Sequence, residues 1–263
     1  MAKKQQHPHA ARRGARLGQH FLTRPEIAGW VADAAHLTHE DTVLEIGPGH
    51  GILTRELLTR AGKVIAVEKD PALVAELRML FSDEIANGTL TLIEEDVRDF
   101  DPSTLTTPYT LAANIPYYIT GRIIRQFLTA RHQPTRIVLL MQKEVAERIV
   151  ARDQKESLLS LSVKAYGTPE LVRTVKAGAF SPPPKVDSAI LAIHEIQRNL
   201  FTSSAHERLF FTTIRAAFQN KRKTIGASLK NTTVLERILA QNISPSTRPE
   251  SIQHQVWINT CRP

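Results

Sequence analysis

Apolar positions along the chain alternate between two periods. Ile27, Trp30, Val31, Ala34 and Leu37 fall on one helical face after Pro25, predicting a helix over 25–37. Residues 41–47 read as a short buried strand entering glycine. Ile52, Leu53, Leu57 and Leu58 then return to helical spacing over 51–60. The alternation continues with strands at 63–68, 90–96, 109–114 and 136–141 and helices at 71–80, 121–130 and 143–151. Strands alternating with helices of this length predict an α/β fold, a parallel sheet with helices on both faces. Segments 172–176 and 189–194 are expected to close the sheet. The run Pro182-Pro-Pro184 cannot sit in a central strand and marks the connection between them.

Beyond residue 195 the strand pattern stops. Residues 205–219, 221–230, 233–241 and 249–258 read as short helices. This places a boundary within 196–204, giving a basic arm (1–24), an α/β domain (25–198) and a small all-helical C-terminal domain (199–263). A chain of 263 residues accommodates one large and one small domain.

Charge sharpens the picture. The 34 Lys and Arg against 26 Asp and Glu leave a net +8, which points to a polyanionic partner. Residues 1–24 carry six cations, Arg12, Arg13 and Arg16 among them, and no acid. Residues 208–230 carry six more, including Lys221, Arg222 and Lys223, again with no acid. Phosphate contacts are expected from both stretches. No run approaches 18 apolar residues, so no membrane span is expected. The single cysteine, Cys261, allows neither a disulfide framework nor a Cys-based zinc site within one chain and fits a reducing cytoplasm. The ten histidines show no ligand spacing, so no metal is expected.

Candidate chemistry gathers at the ends of the predicted strands. In Val43-Leu-Glu-Ile-Gly-Pro-Gly-His-Gly51 a strand runs through Gly47, Gly49 and Gly51 into a helix. Glycines there tolerate positive φ and let backbone approach a ligand. The spacing fits neither the dinucleotide fingerprint nor the Gly-Lys-Ser/Thr of a phosphate-cradling loop, so a ligand without pyrophosphate is expected. Glu68, 21 residues after Gly47, stands where a ribose diol would donate to it. Asp96, followed by Val97, suits an adenine amino group beside an apolar face. Asn114-Ile-Pro-Tyr117 offers carboxamide and carbonyl acceptors for an exocyclic amine, a turn stiffened by Pro116, and a ring for a base to stack on.

Gly18-Gln-His-Phe-Leu22, Glu45-Ile-Gly-Pro-Gly49, Glu68-Lys-Asp70, Asn114-Ile-Pro-Tyr117, Gln142-Lys-Glu-Val145 and Phe180-Ser-Pro-Pro-Pro-Lys-Val-Asp-Ser-Ala189 follow in that order. Over about residues 12–230 the chain resembles the ribosomal RNA adenine dimethyltransferases, the small-subunit (16S) enzymes above all. The resemblance implies a Rossmann-like class I methyltransferase sheet, S-adenosylmethionine as cofactor and dimethylation of adenine N6 on two adjacent adenosines near the 3′ end of 16S rRNA. It also implies an immature small ribosomal subunit as partner. A cytoplasmic monomer is expected.

By the same resemblance, His20 and Leu22 would border the cofactor, Gly47 and Gly49 contact it, Glu68 hold its ribose and Asp96 its adenine. Asn114 would lie between cofactor and target base, and Phe180 would pair with Tyr117 around a flipped adenine. Two positions depart from the family's usual pattern: His20 and Tyr118 stand where Asn is common. Two other readings stay open, a 23S adenine methyltransferase of the macrolide-resistance type and a nonenzymatic ribosome assembly factor. The Pro-Pro-Pro-Lys-Val-Asp-Ser stretch favours the 16S reading over the first. Intact Glu68, Asp96 and Asn114 argue against the second.

Overall fold

A computed structural model describes residues 20–105, 107–220 and 222–261. Arg12, Arg13, Arg16 and Lys221 lie outside these. Residues up to 143 together with Leu171–Ala192 form one compact unit. Glu144–Glu170 together with residues from 193 onward form the other. The second unit thus begins earlier than a single boundary within 196–204 would place it, because the chain visits it once before the sheet is complete.

The first unit is built on strands β1 (Phe21–Leu22), β2 (Thr42–Ile46), β3 (Lys63–Glu68), β4 (Leu90–Glu94), β5 (Tyr109–Asn114), β6 (Arg136–Gln142) and β8 (Phe180–Ser181). Two further strands, β7 (Thr168–Val175) and β9 (Ser188–His194), cross from one unit to the other. The main sheet runs β4-β3-β2-β5-β6-β9-β7, and β1 pairs separately with β8. The pairs β4-β3, β3-β2, β2-β5 and β5-β6 are parallel. Such strands are covered on both faces and read as continuous apolar runs. Val64, Ile65, Ala66 and Val67 of β3 and Leu111, Ala112 and Ala113 of β5 are all buried.

Helices α1 (Pro25–Ala34), α2 (Ile52–Leu58), α3 (Pro71–Leu80), α4 (Ser82–Ala86) and α5 (Thr120–Thr129) connect the strands. Pro25 and Pro71 occupy the first helical turn, where a missing N–H costs nothing, and the Asp70 carboxylate caps α3 by accepting from Ala72 N (2.9 Å). The chain order β2, β3, β4 grows toward one edge, and β5 and β6 grow from the other side of β2. That reversal, between β2 and β5, is where open α/β sheets leave a crevice at the carboxyl ends of their strands.

The second unit holds α6 (Lys143–Val150, save its first residue), α7 (Leu158–Lys164), α8 (Ser204–Phe218), α9 (Ile225–Ser228), α10 (Thr233–Leu239) and α11 (His254–Thr260). Phe210, Ile214 and Ala217 of α8 and Trp257 of α11 are fully buried, and Trp257 donates its indole N–H to Ile252 O. The helix expected over 249–258 is two pieces: a 3-10 turn at Pro249–Ser251 precedes α11. Among the described residues no helix is long and apolar enough to cross a membrane.

Candidate active site

The crevice at the β2/β5 reversal is a cleft of about 1040 Å³, open solvent at its mouth included. Its floor is the loop that leaves β2. Gly47, Gly49 and Gly51 all have φ between 59° and 77°, a conformation that L side chains rarely adopt. At Gly51 a Cβ would stand 2.5 Å from the Phe81 ring, so packing also demands glycine. At Gly47 a Cβ would meet no atom within 4 Å, yet the residue lines the cleft. The bare backbone at Gly47 therefore faces space that a ligand can approach closely.

Glu68 closes β3 beside this loop. Its Oε1 accepts from the backbone N–H groups of Lys69 (2.9 Å) and Asp70 (3.0 Å), and its Oε2 from Gly49 (3.3 Å). These donors fix the carboxylate at the cleft wall while leaving lone pairs on Oε2 for a diol. Asp96 follows β4. The Arg98 side chain grips it, with Nε to Oδ1 at 2.9 Å and Nη2 to Oδ2 at 2.5 Å, and these bonds above all hold its pKa down at about 2. Val97 lines the cleft next to it.

Asn114 ends β5. Its Nδ2 donates to His20 O (3.3 Å), which commits the amide nitrogen and leaves the side-chain oxygen to accept. His20 is itself held through Nδ1, which donates to Pro182 O (2.7 Å). The turn continues through Pro116 into Tyr117, whose hydroxyl lies 2.7 Å from Ser188 Oγ. That bond pins a half-buried ring 5.6 Å from the His20 ring. Burial, only partly opposed by the Ser188 contact, raises the Tyr117 pKa, so the phenol stays neutral. Tyr118, 64% exposed, stands at the rim.

The cleft thus brings together His20, Leu22, Gly47, Gly49, Glu68, Asp96, Asn114, Pro116 and Tyr117. Phe180 is the exception. It pairs with Leu22 in the β1-β8 ribbon, is only 4% exposed, and belongs to the apolar core rather than to the cleft wall. The ring that the resemblance pairs with Tyr117 around a base lies in this structure among the buried core residues, Leu22 and Ala179 included. Arg222 and Lys223 are exposed in the second unit. Among the cleft residues that the sequence reading did not assign to the site are Arg98 and Glu45. Arg98 carries a readable signal, an Arg two residues after an Asp. Glu45 lies inside an apolar strand and opens the Glu45-Ile-Gly-Pro-Gly49 motif, but the motif by itself gives it no role. Among the described residues no cluster of His, Cys, Asp and Glu could hold a metal ion.

The cleft's residues fit S-adenosylmethionine on structural grounds. There is an open approach at Gly47, a pinned carboxylate at Glu68, and a buried cleft residue, Glu45, whose Oε2 finds no well-formed hydrogen bond among the described residues. A cationic ligand rich in N–H and O–H donors answers all three.

Comparison with known proteins agrees. The ribosomal RNA small subunit methyltransferase A of Dehalococcoides mccartyi (strain ATCC BAA-2100 / JCM 16839 / KCTC 5957 / BAV1) is 41% identical over 260 residues, spanning 95% of this chain and 87% of that protein. The protein of the same name from Fusobacterium nucleatum subsp. nucleatum is 37% identical over 251 residues, spanning 92% and 94%. Among solved structures, the 23S rRNA methyltransferase ErmE superposes with a TM-score of 0.78 at 27% identity, covering 92% of this chain and 98% of that one. A dimethyladenosine transferase from Plasmodium falciparum gives 0.74 at 26% identity, covering 92% and 96%. The profile of the ribosomal RNA adenine dimethylase family matches residues 11–260, and the chain belongs to that family.

Proposed function

We propose that this cleft dimethylates adenine N6 in small-subunit rRNA, on two adjacent adenosines near the 3′ end, and that the immature small subunit is the particle recognised. One observation carries the chemistry: the Asn114 amide nitrogen is committed to His20 O, so its oxygen is the free acceptor at the cleft wall. The 16S assignment rests on relatives named for the small subunit at 37–41% identity. The likeness in shape to the 23S enzyme ErmE favours a second reading, large-subunit rRNA as substrate.

S-adenosylmethionine, when bound, supplies an electrophilic methyl group on a sulfonium. Gly47, Glu68 and Asp96 would hold it against the ends of β2, β3 and β4. Asn114 does the chemical work on the other side. An adenine amine is a poor nucleophile because its lone pair is delocalised into the ring. The Asn114 side-chain oxygen and a backbone carbonyl of Ile115 or Pro116 accept its two N–H bonds, localise that lone pair and stabilise the positive charge that develops on nitrogen. No strong general base is needed to begin. Tyr117 provides a fixed face for the extruded base, and a ring-base contact offsets about 1–3 kcal/mol of the unstacking cost. Phe180 supports this wall from the core. The basic stretches contact RNA phosphates, and the enzyme acts as a cytoplasmic monomer.

Single-turnover methyl transfer to precursor small-subunit particles tests this. Asn114→Ala is expected to slow transfer by about 100-fold, with RNA affinity almost unchanged. Transfer at the wild-type rate overturns the mechanism. Transfer to large-subunit but not small-subunit RNA selects the second reading.

A further inference from the structure

We propose that Glu45 couples cofactor binding to the release of a proton. This rests on the reading of the cleft as an S-adenosylmethionine site. Glu45 sits on β2 one residue before the strand ends, is 1% exposed, and still lines the cleft. Among the described residues its Oε2 finds no hydrogen bond of good geometry. A buried polar atom left this way is costly, and it marks a place where a partner is supplied from outside.

Among the described residues no opposite charge acts on Glu45. In register beside it stand Ala66 of β3 and Ala112 of β5. From α2 comes Thr54, whose buried hydroxyl makes no well-formed hydrogen bond of its own. From the end of β3 comes a second carboxylate, Glu68. Burial is the main influence and raises the Glu45 pKa to about 8; Thr54 pulls it down and Glu68 pushes it further up. In the free protein near neutral pH the side chain therefore carries a proton.

The cofactor brings two positive groups. The sulfonium has no N–H to donate. The α-ammonium has three, so it alone satisfies an orphaned acceptor and also supplies the missing charge. An ammonium in hydrogen-bond contact favours the ionised carboxylate. Glu45 then loses its proton to solvent: a carboxylic acid and a free ammonium become a carboxylate–ammonium pair plus one hydrated proton. The coupling ties cofactor affinity to pH, with affinity rising as pH climbs toward 8.

Calorimetry at pH 7 in two buffers of different ionisation enthalpy counts the protons. S-adenosylhomocysteine keeps the α-ammonium and lacks the sulfonium charge; 5′-methylthioadenosine lacks the amino-acid end altogether. With the carboxyl and an α-amine of ordinary pKa both titrating near 8, S-adenosylhomocysteine should release about 0.8 proton, and 5′-methylthioadenosine none. In Glu45→Gln the release should vanish and S-adenosylhomocysteine affinity fall at least tenfold, with 5′-methylthioadenosine affinity unchanged. Wild-type binding of S-adenosylhomocysteine without proton release overturns the coupling alone, and needs no variant to fold. Release that persists in Glu45→Gln overturns the assignment to Glu45. If neither nucleoside binds the wild type, the cofactor reading fails and the coupling with it.

Discussion

Arg98 closes around the carboxylate of Asp96 with three donors: its backbone N–H and Nε reach Oδ1, each at 2.9 Å, and Nη2 reaches Oδ2. The loop after β4 therefore presents Asp96 in one orientation, with the Arg98 hydrogen bonds holding its carboxyl ionised well below neutral pH. One lone pair on Oδ2 stays available to an amino group. Asp96→Ala should weaken S-adenosylhomocysteine binding by roughly 10- to 150-fold, the worth of a charge-assisted hydrogen bond. Arg98→Ala removes only the orienting partner, an exposed pair worth at most about 1 kcal/mol, and should cost less than about 5-fold. Titration calorimetry on both variants checks the order. A larger loss for Arg98→Ala would mean that the guanidinium itself touches the ligand.

Glu68 joins two loops through three backbone N–H groups, so it serves structure and binding together. Glu68→Gln replaces one acceptor oxygen with an NH2 group that faces a donor. The variant should lose about 1–3 kcal/mol of stability and bind S-adenosylhomocysteine at least tenfold more weakly. Denaturant unfolding and calorimetry measure the two losses separately. Full stability with lost binding would show the backbone contacts to be dispensable.

Phe180 separates packing from stacking. Its ring is in the core, so Phe180→Ala should cost about 3–5 kcal/mol of stability. Phe180→Leu keeps most of the volume and should stay folded and methylate at a rate within a few-fold of wild type. A folded Phe180→Leu protein with almost no transfer would put an aromatic face back beside Tyr117 during turnover.

Where local signals agreed, the chain was readable to the residue. β3, α3 and β5 fall at 63–68, 71–80 and 109–114 as expected. Pro71 and the Asp70 cap set the start of α3, and buried runs set the strands. The two-residue strands β1 and β8 left no trace, because pairing over two residues creates no periodicity. Helix α7 was missed for a related reason: its start is set by the reciprocal Ser157–Ser160 capping box, not by the acidic residue that usually flags one. The site was legible wherever residues sit at strand ends, as Gly47, Glu68, Asp96 and Asn114 do. The stacking role of Phe180 comes from the family resemblance, whereas its place ahead of three prolines also fits a buried ring that anchors a rigid loop. Its pairing with Leu22, 158 positions earlier in sequence, is encoded by no local pattern.

RNA affinity should track the exposed cations of the second unit. Arg222 and Lys223 sit in a stretch without acids, and Arg208, Arg215 and Lys230 are exposed around them in sequence. Reversing Arg222 and Lys223 to Glu should weaken binding to a 16S fragment and flatten the log–log salt dependence by at least about 1.4, the share of two phosphate contacts on single-stranded RNA. S-adenosylhomocysteine affinity should not change. An unaltered salt slope would place the RNA contacts elsewhere.

Glu45 also sets how the free protein's stability depends on pH. Its carboxyl titrates at 4.5 ordinarily and at about 8 when buried in the fold. Between those values the folded chain holds a proton that the unfolded chain has lost. Stability contributed by the neutral side chain is complete below about pH 4.5 and is lost as pH rises toward 8, at up to about 1.4 kcal/mol per pH unit. Glu45→Gln keeps the shape, cannot ionise, and removes this slope. The variant should therefore melt close to wild type at pH 5 and distinctly higher at pH 8.5, without added nucleoside. Thermal melts of both proteins across that range test it. Parallel curves would mean that Glu45 finds a partner or water in solution that spares it the cost of ionising in an apolar wall.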